Sequence, residues 1–488
     1  MSTVERFGAG FIKPEIEAKR EEWRVIRDCI LGEARIKGRR GEYLPYAGDK
    51  NCDASDLAAY EAYLKRAQFI NAVRRTVNDL LGQVFIKAPI VALNDNTFMH
   101  AFAENADGKG VSLLQCAKKT LKHCIAYSYC GVYLDIPELK NSLSVKDFNE
   151  FAYRPTLVPI SPFRIRNFRI ERVGNVDKLT LVVLLEDYWT LGSDGFEDEK
   201  KQRLIVLRLV DGVFHKEIHE AINKGGNEET VGAWEKVSTS IPTDSAGSPL
   251  DTIPFFFIGS ENNNPYPDEP LMYDLASINI SHYRNSADYE QTMFVAGQPT
   301  LILSGLNNAN LSNDLADLKL GVNHAILLKN GGTASLVQAR AESGLAEAME
   351  KKEKYMHSYG AKFFEEQTVV KTAYQIKTEN GSQKTVLANC ADNVSAAYTA
   401  ALQYLHNICG FDFKVEFTLN TDFEFNKVGL DELKNSAELY EKGLISFTEF
   451  REVARRAKLA TEDDEKVLSE VKERFNQQQT VKGATNDS

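Results

Sequence analysis

An α+β fold is what this 488-residue chain predicts, and three observations predict it. Before Tyr129 and again beyond Pro270, apolar residues recur at helical spacing. Between Arg154 and Ser260 the period drops to two, the signature of strands with one buried face. The stretch Pro270–Phe364 then reads as a long helix, a compact β-rich excursion and a second long helix returning. With 43% hydrophobic and 26% charged residues the chain has the composition of a folded protein. Its size suits roughly two to four domains.

The first helix spans residues 12–31, with Ile12, Ile16, Trp23, Ile26 and Ile30 on one face and Pro14 in the first turn. Residues Gly32–Lys50, with their glycines and Pro45, read as loop. A longer helix is expected from Ser55 to about Leu81, striped by Leu57, Tyr60, Leu64, Val73, Val77 and Leu80. A third covers Ser112–Tyr129 and feeds a strand at Val132–Ile136 through Gly131. Seven strands follow: Thr156–Ile160, Arg164–Arg172, Leu179–Tyr188, Arg203–Val210, Val213–His219, Trp234–Ser240 and Ile253–Ile258. Asp211-Gly212 between two alternating runs is a strong hairpin signal, so the region is mostly antiparallel. Gly259–Pro270 is a hinge.

In the next stretch Leu271, Leu275, Ile278, His282/Tyr283, Tyr289 and Met293 carry a helical stripe that Gly297 and Pro299 stop. Short strands are expected at Thr300–Leu303, His324–Leu328 and Ala334–Gln338, the last two turned by Gly331-Gly332. Helix resumes over Ser343–Phe364, with a charged face from Glu347 to Lys354. Glu365–Thr385 is polar and turn-like. Val386–Cys409 is an alanine-rich helix, and Val415–Phe425 alternates as one or two strands. Helices then follow at Leu430–Lys442, at Phe447–Lys458 behind the capping box Ser446…Glu449, and at Glu462–Phe475. Asn476–Ser488 is polar and expected to be disordered.

The net charge of −11 argues against a broad basic face for sequence-specific DNA binding. Met1–Gly10 lacks the apolar core of a secretory signal, and runs such as Leu181–Leu185 are far too short to span a membrane, so a cytoplasmic site of synthesis is expected. The seven cysteines form no Cys-x-x-Cys pair and read as buried free thiols. His215 and His219 flank Glu217, but this is not the His-Glu-x-x-His zinc motif and no third ligand follows, so no metal and no cofactor is expected. Walker-type and Gly-x-Ser-x-Gly nucleophile loops are absent from the sequence.

Several local strings in order point further. They run Tyr60…Tyr63-Leu64…Arg66-Ala67…Asn71…Thr76, Gly82…Val84-Phe85, Gly131…Asp135-Ile136-Pro137, Arg154-Pro155 and Ile253-Pro254-Phe255. The densest is Asp274-Leu275-Ala276…Asn279…His282-Tyr283-Arg284…Ser286-Ala287-Asp288-Tyr289, followed by Gly297…Pro299. In these strings the chain resembles the portal proteins, or head-to-tail connectors, of tailed bacteriophages, in the branch formerly labelled a domain of unknown function. Phe168 stands where that branch often has tryptophan. The resemblance implies a protomer with an α/β wing, a two-helix stem, a small β-containing clip, a long wing helix and a helical C-terminal crown. On this chain the wing is 1–264, the first stem helix 265–298, the clip 299–341 and the second stem helix 342–366. A tunnel-loop region follows at 367–385, then the wing helix and strands at 386–428, the crown at 429–475 and a tail at 476–488.

The resemblance also implies a function: a non-enzymatic ring of about twelve copies at one capsid vertex. Such a ring nucleates head assembly and serves as the channel for DNA packaging and ejection. Its implied partners are the terminase large subunit, a head–tail adaptor, the major capsid and scaffolding proteins, and double-stranded DNA passing without sequence specificity. No membrane is implied, and the place of residence is the virion. Lys371, Lys377, Glu379, Asn380, Gly381 and Lys384 fall where the family has its DNA-facing loop. Their plain alternative is a solvated loop. Tyr283, Arg284, Asp288 and Tyr289 on the first stem helix are expected to pack between subunits. Two other classes stay open: a cytoplasmic α+β hydrolase with its site between the helical and β parts, or another shell or adaptor protein of the virion.

Overall fold

The computed structural model describes residues 8–45, 54–138, 154–191, 195–221, 234–298, 300–304, 333–337, 343–359, 385–421, 423 and 430–456. The fold is α+β, and the chain divides into two compact units, Met1–Thr421 and Asp422–Ser488. Among the described residues no helix is long and apolar enough to cross a membrane.

Helix α1 (Pro14–Leu31) buries Ile16, Trp23, Ile26 and Cys29. The Trp23 ring stacks on Tyr129 at 5.8 Å, and its Nε1 donates to the Tyr127 carbonyl at 3.0 Å. Gly32 ends the helix at φ +95°, and the Arg74 guanidinium donates to the free carbonyls of Ile30 and Leu31. The segment expected to be loop holds a short helix, α2 (Glu33–Gly38), and a 3-10 turn, Arg40–Glu42. The reason is a fully buried carboxylate. Asp28 accepts from Arg35 Nε at 2.8 Å, Arg39 Nε at 2.8 Å and the Tyr43 hydroxyl at 3.0 Å. Only a wound segment brings all three donors to one point.

The single helix expected over residues 55–81 is two: α3 (Ala54–Arg66) and α4 (Ala72–Val84). Asn71 caps the second by accepting from Arg74 N at 3.0 Å. Helix α5 (Thr97–Glu104), behind the cap Asn96, was not expected from the sequence. Helix α6 (Leu113–Tyr127) opens with a Ser112/Gln115 capping box and stops at Ser128, which is left-handed at φ 57°.

The β region separates into two sheets. Strand β2 (Tyr129–Asp135) lies between β3 (Thr156–Ile160) and β9 (Phe255–Gly259), antiparallel to both. The Phe255 ring occupies the space beside Gly131 so closely that a Cβ there would lie 2.4 Å from it. The intervening strands form a five-stranded antiparallel meander: β4 (Ile165–Val173), β5 (Val176–Leu191), β6 (Asp198–Val210), β7 (Val213–Ala221) and β8 (Trp234–Ser240). The Asp211-Gly212 hairpin stands as expected, both residues at positive φ. A further ribbon pairs β1 (Ile90–Ala92) with β12 (Glu416–Thr418).

Three more helices complete the first unit: α7 (Tyr273–Ala296), α8 (Ser343–Tyr359) and α9 (Val386–Ile408). Between α7 and α8, β10 (Thr300–Ser304) pairs antiparallel with β11 (Thr333–Val337). The strand expected at His324–Leu328 lies outside the described residues. Helix α9 is the most buried of the three, with Leu387, Val394, Tyr398, Ala401 and Leu405 at 1% exposure or less, packed on α6 and the three-stranded sheet. Six cysteines are buried free thiols; Cys52 lies outside the described residues. The second unit holds α10 (Leu430–Glu441) and α11 (Phe447–Arg456). The capping box is present: Glu449 N donates to Ser446 Oγ and Ser446 N to Glu449 Oε2. The helix expected at Glu462–Phe475 and the polar tail lie outside the described residues.

Candidate functional site: the helix pair and its hairpin

Helix α7 has twenty-four residues and so runs about 36 Å at ~1.5 Å per residue. Its character changes along its length. In the first half Leu275, Ala276, Asn279, Ile280, His282, Tyr283, Ser286 and Ala287 are all buried. Polar ties fasten this half to the helices beneath. Asn279 Nδ2 donates to the Ile70 carbonyl at 2.7 Å, Gln68 N to Ser286 Oγ at 2.8 Å, and Arg284 Nε to the Tyr43 carbonyl at 2.7 Å. The break between α3 and α4 thus has a purpose: residues 67–71 turn backbone groups and the Phe69 ring toward α7. Phe69 meets Tyr283 edge-on at 6.1 Å.

A second set of ties joins α7 to α8. His282 Nε2 lies 3.0 Å from Glu353 Oε1. Lys352 Nζ donates to Ser281 Oγ at 2.7 Å and to its carbonyl at 3.2 Å. Tyr359 OH donates to the Leu271 carbonyl at 2.7 Å. The end of α8 therefore meets the residues before α7, and the two helices run antiparallel. Burial lowers the Lys352 ammonium pKa. Burial, helped by the Asp274 charge, raises the Tyr359 phenol to about 12, so it stays a donor at any ordinary pH.

The outer half is different. Met293, Phe294 and Val295 in its last turns are all exposed, Phe294 by 44%. Three successive residues point about 100° apart around a helix, so this end is apolar on most sides. Its partner within the chain is the Arg66 guanidinium, 4.1 Å from the Phe294 ring centre. Helix α8 is charged and largely exposed, with Met356 buried and Glu350 paired to Lys354 at 2.6 Å. A cleft of about 270 Å³ opens between α4 and α8, where Arg75, Asp79, Glu353 and His357 face it.

The Asp28 cluster underlies the root of the pair, since Tyr43 gives its hydroxyl to Asp28 and its carbonyl to Arg284. Burial pushes the Asp28 carboxyl pKa up, and the bonds from Arg35, Arg39 and Tyr43 more than reverse it, leaving it below the ordinary value. One cue to this cluster was legible: an acidic residue on the buried side of α1.

The four stem residues singled out from sequence take distinct places. Tyr283 is fully buried inside the chain against Phe69, so no part of its ring is left for a neighbour. Arg284 is exposed but tied to Tyr43, Asp288 is exposed and accepts from the Tyr63 hydroxyl at 2.5 Å, and Tyr289 is half-buried. The six loop residues Lys371, Lys377, Glu379, Asn380, Gly381 and Lys384 lie outside the described residues. His215 and His219 do share a strand face with Glu217, but neither side chain lies open to solvent: both are only partly exposed. His219 Nε2 lies 3.0 Å from the Glu217 carboxylate, which Arg208 and Lys236 also approach. Among the described residues no group of three His, Cys, Asp or Glu is placed to hold a metal.

Known proteins add two findings. A family model described as "Domain of unknown function (DUF4055)" matches residues 270–407. That span takes in the whole helix pair, its hairpin and nearly all of α9. Among solved structures the chain is similar to one titled "Neck of empty GTA particle computed with C6 symmetry", at 12% identity and a TM-score of 0.36. The likeness covers 78% of this chain and 89% of that one. No curated protein matches the sequence.

Proposed function

We propose that this chain is the protomer of a portal-type ring in a phage-like virion, a structural conduit rather than an enzyme. The observation that carries the reading is the division of labour along α7. Its root is locked into the protomer by part-buried polar ties, while its far end leaves Met293, Phe294 and Val295 more than two-fifths exposed. An isolated chain gains nothing from exposing those groups, because each buried apolar side chain contributes roughly 1.5–3 kcal/mol. Copies standing side by side about an axis cover them. The ordered sequence strings shared with portal proteins supply the rest of the reading.

In this proposal about twelve copies close a heterologous ring. The segment 299–341 docks the terminase motor, and Lys371, Lys377 and Lys384 border the bore around the Glu379-Asn380-Gly381 turn. Lysines there touch phosphates transiently, each contact weak and salt-sensitive. The ring meets capsid and scaffolding proteins at its rim and a tail adaptor after filling. End-on electron micrographs of the purified protein test the reading: annular particles with a central hole are expected. Isolated compact particles, with no annular views in assembled virions either, would refute it.

A further inference from the structure

Helices α6 and α9 bring two thiols together in the core of the first unit. The helices pack on each other and run antiparallel. Thr120 Oγ1 lies 2.8 Å from the Tyr398 hydroxyl, and four residues further along α6 Cys124 meets Cys390, two turns back along α9. Ala388 and Ala391, both buried, flank Cys390 and leave room for the approach.

A shared acceptor fixes the place. The Gly259 carbonyl at the end of β9 accepts from Cys124 Sγ at 3.4 Å and from Asn393 Nδ2 at 2.9 Å. Asn393 lies one turn along α9 from Cys390, on the same face. Two other buried thiols on α6 and β2 point elsewhere: Cys116 toward the Leu157 carbonyl at 4.0 Å, and Cys130 toward that of Thr120 at 3.7 Å. Cys124 and Cys390 are at most 1% exposed. Cys390 beside it, and burial, hold the Cys124 thiol well above its ordinary pKa. Only a thiolate attacks, so the folded pair is slow to react and closed to bulky reagents.

We infer that these thiols form a redox latch, reduced in a reducing cytosol and closed into an intrachain Cys124–Cys390 disulfide when a peroxide acts on the folded chain. One sulfur, as thiolate, attacks a peroxide oxygen and becomes a sulfenic acid. The hydroxide released takes up the proton that this thiol lost. The second sulfur then displaces the sulfenic hydroxyl, which leaves as water with the second thiol's proton. Two thiols and one hydrogen peroxide thus give one disulfide and two waters. No polar group is stranded, because the Gly259 carbonyl keeps the Asn393 amide. The link joins elements far apart in the sequence, so it restricts the unfolded chain strongly. A chain carried out of the cell in a particle meets oxidising conditions; that consequence rests on the ring reading, whereas the bond itself does not.

The test treats the folded chain with hydrogen peroxide, unfolds it in an alkylating agent and maps the peptides by mass spectrometry. A pair linked through Cys124 and Cys390 is expected, with Cys130 alkylated. Thermal unfolding should rise by several degrees and fall back on reduction. Cys124→Ala and Cys390→Ala should each lose both the link and the rise, and Cys130→Ala should keep them. Cys390→Ala under the same peroxide also corrects for methionine oxidation. Both cysteines alkylated after peroxide, a link through Cys116 or Cys130 instead, or sulfinic acid at either position would overturn the latch. A link without a rise would overturn its stapling role. The mapping uses the unaltered chain, so it decides the matter even where a variant fails to fold. Particle mass, measured separately, reads the ring.

Discussion

The two ends of α7 are built on opposite principles. At the root, Tyr283 and His282 are buried and nearly every polar tie reaches another element of the same chain. At the outer end the side chains are as apolar, yet they lie open. Burial at the root is already spent on folding, so it is not available for association. Exposure at the far end costs the monomer and is recovered only when something covers it. On the ring reading proposed above, one helix serves stability at one end and assembly at the other.

The contrast can be broken from the root first. Tyr283→Ala removes a fully buried ring and its edge contact to Phe69, with an expected loss of about 3–5 kcal/mol. Urea unfolding of the dissociated chain checks this, and a loss under about 1 kcal/mol would show that the root is not tightly packed. Asp28→Ala should cost about 2–4 kcal/mol, because it leaves Arg35, Arg39 and Tyr43 without their shared acceptor. The discount reflects Arg35, whose side chain is 43% exposed. Acid should act through the same residue. Its folded pKa is depressed, so its contribution is present above the unfolded carboxyl value of about 3.9 and is lost as the pH falls through the lower folded value. The Asp28→Ala variant should lack that component of the acid transition. If its acid profile parallels that of the unaltered protein, the carboxylate is not ionised in the fold.

Smaller effects sharpen the comparison. His282→Ala cuts one of the ties between α7 and α8 and should cost about 1–2 kcal/mol. Calorimetry should show the lower transition, and Lys352→Met should add to it less than its own single effect, since both serve one contact. At the outer end the stability change should be smallest. Met293→Ser with Val295→Ser should shift chain stability by within about 0.5 kcal/mol. The same pair should nonetheless weaken assembly at least tenfold. Equal loss of both would erase the distinction between the two ends.

Much of this was legible in the sequence because it is local. The helix pair follows from periodic apolar residues stopped by Gly297 and resumed at Ser343, the β6–β7 hairpin from Asp211-Gly212, and the cap of α11 from Ser446 and Glu449. What was missed is set by distant partners. The stripe jumps from Leu64 to Val73, about half a turn out of phase on one continuous helix, so that jump and Asn71 were the local marks of the break that Asn279 and Tyr283 exploit. Ile90–Ala92 is too short to declare itself a strand until it meets Glu416–Thr418. The loop over Gly32–Lys50 winds into α2 because Asp28 is buried, which no composition count reveals. At the candidate site the resemblance picked out Tyr283, Arg284, Asp288 and Tyr289, but a sequence string cannot tell a partner in the same chain from one in the next. The structure assigns Tyr283 to the former.

Mass in solution is the most direct test of association through the uncovered end of α7. Light scattering on the unaltered protein over a wide concentration range should find a closed particle on the order of 650 kDa, about twelve chains of 54.7 kDa each. A mass of 54.7 kDa at every concentration would contradict it.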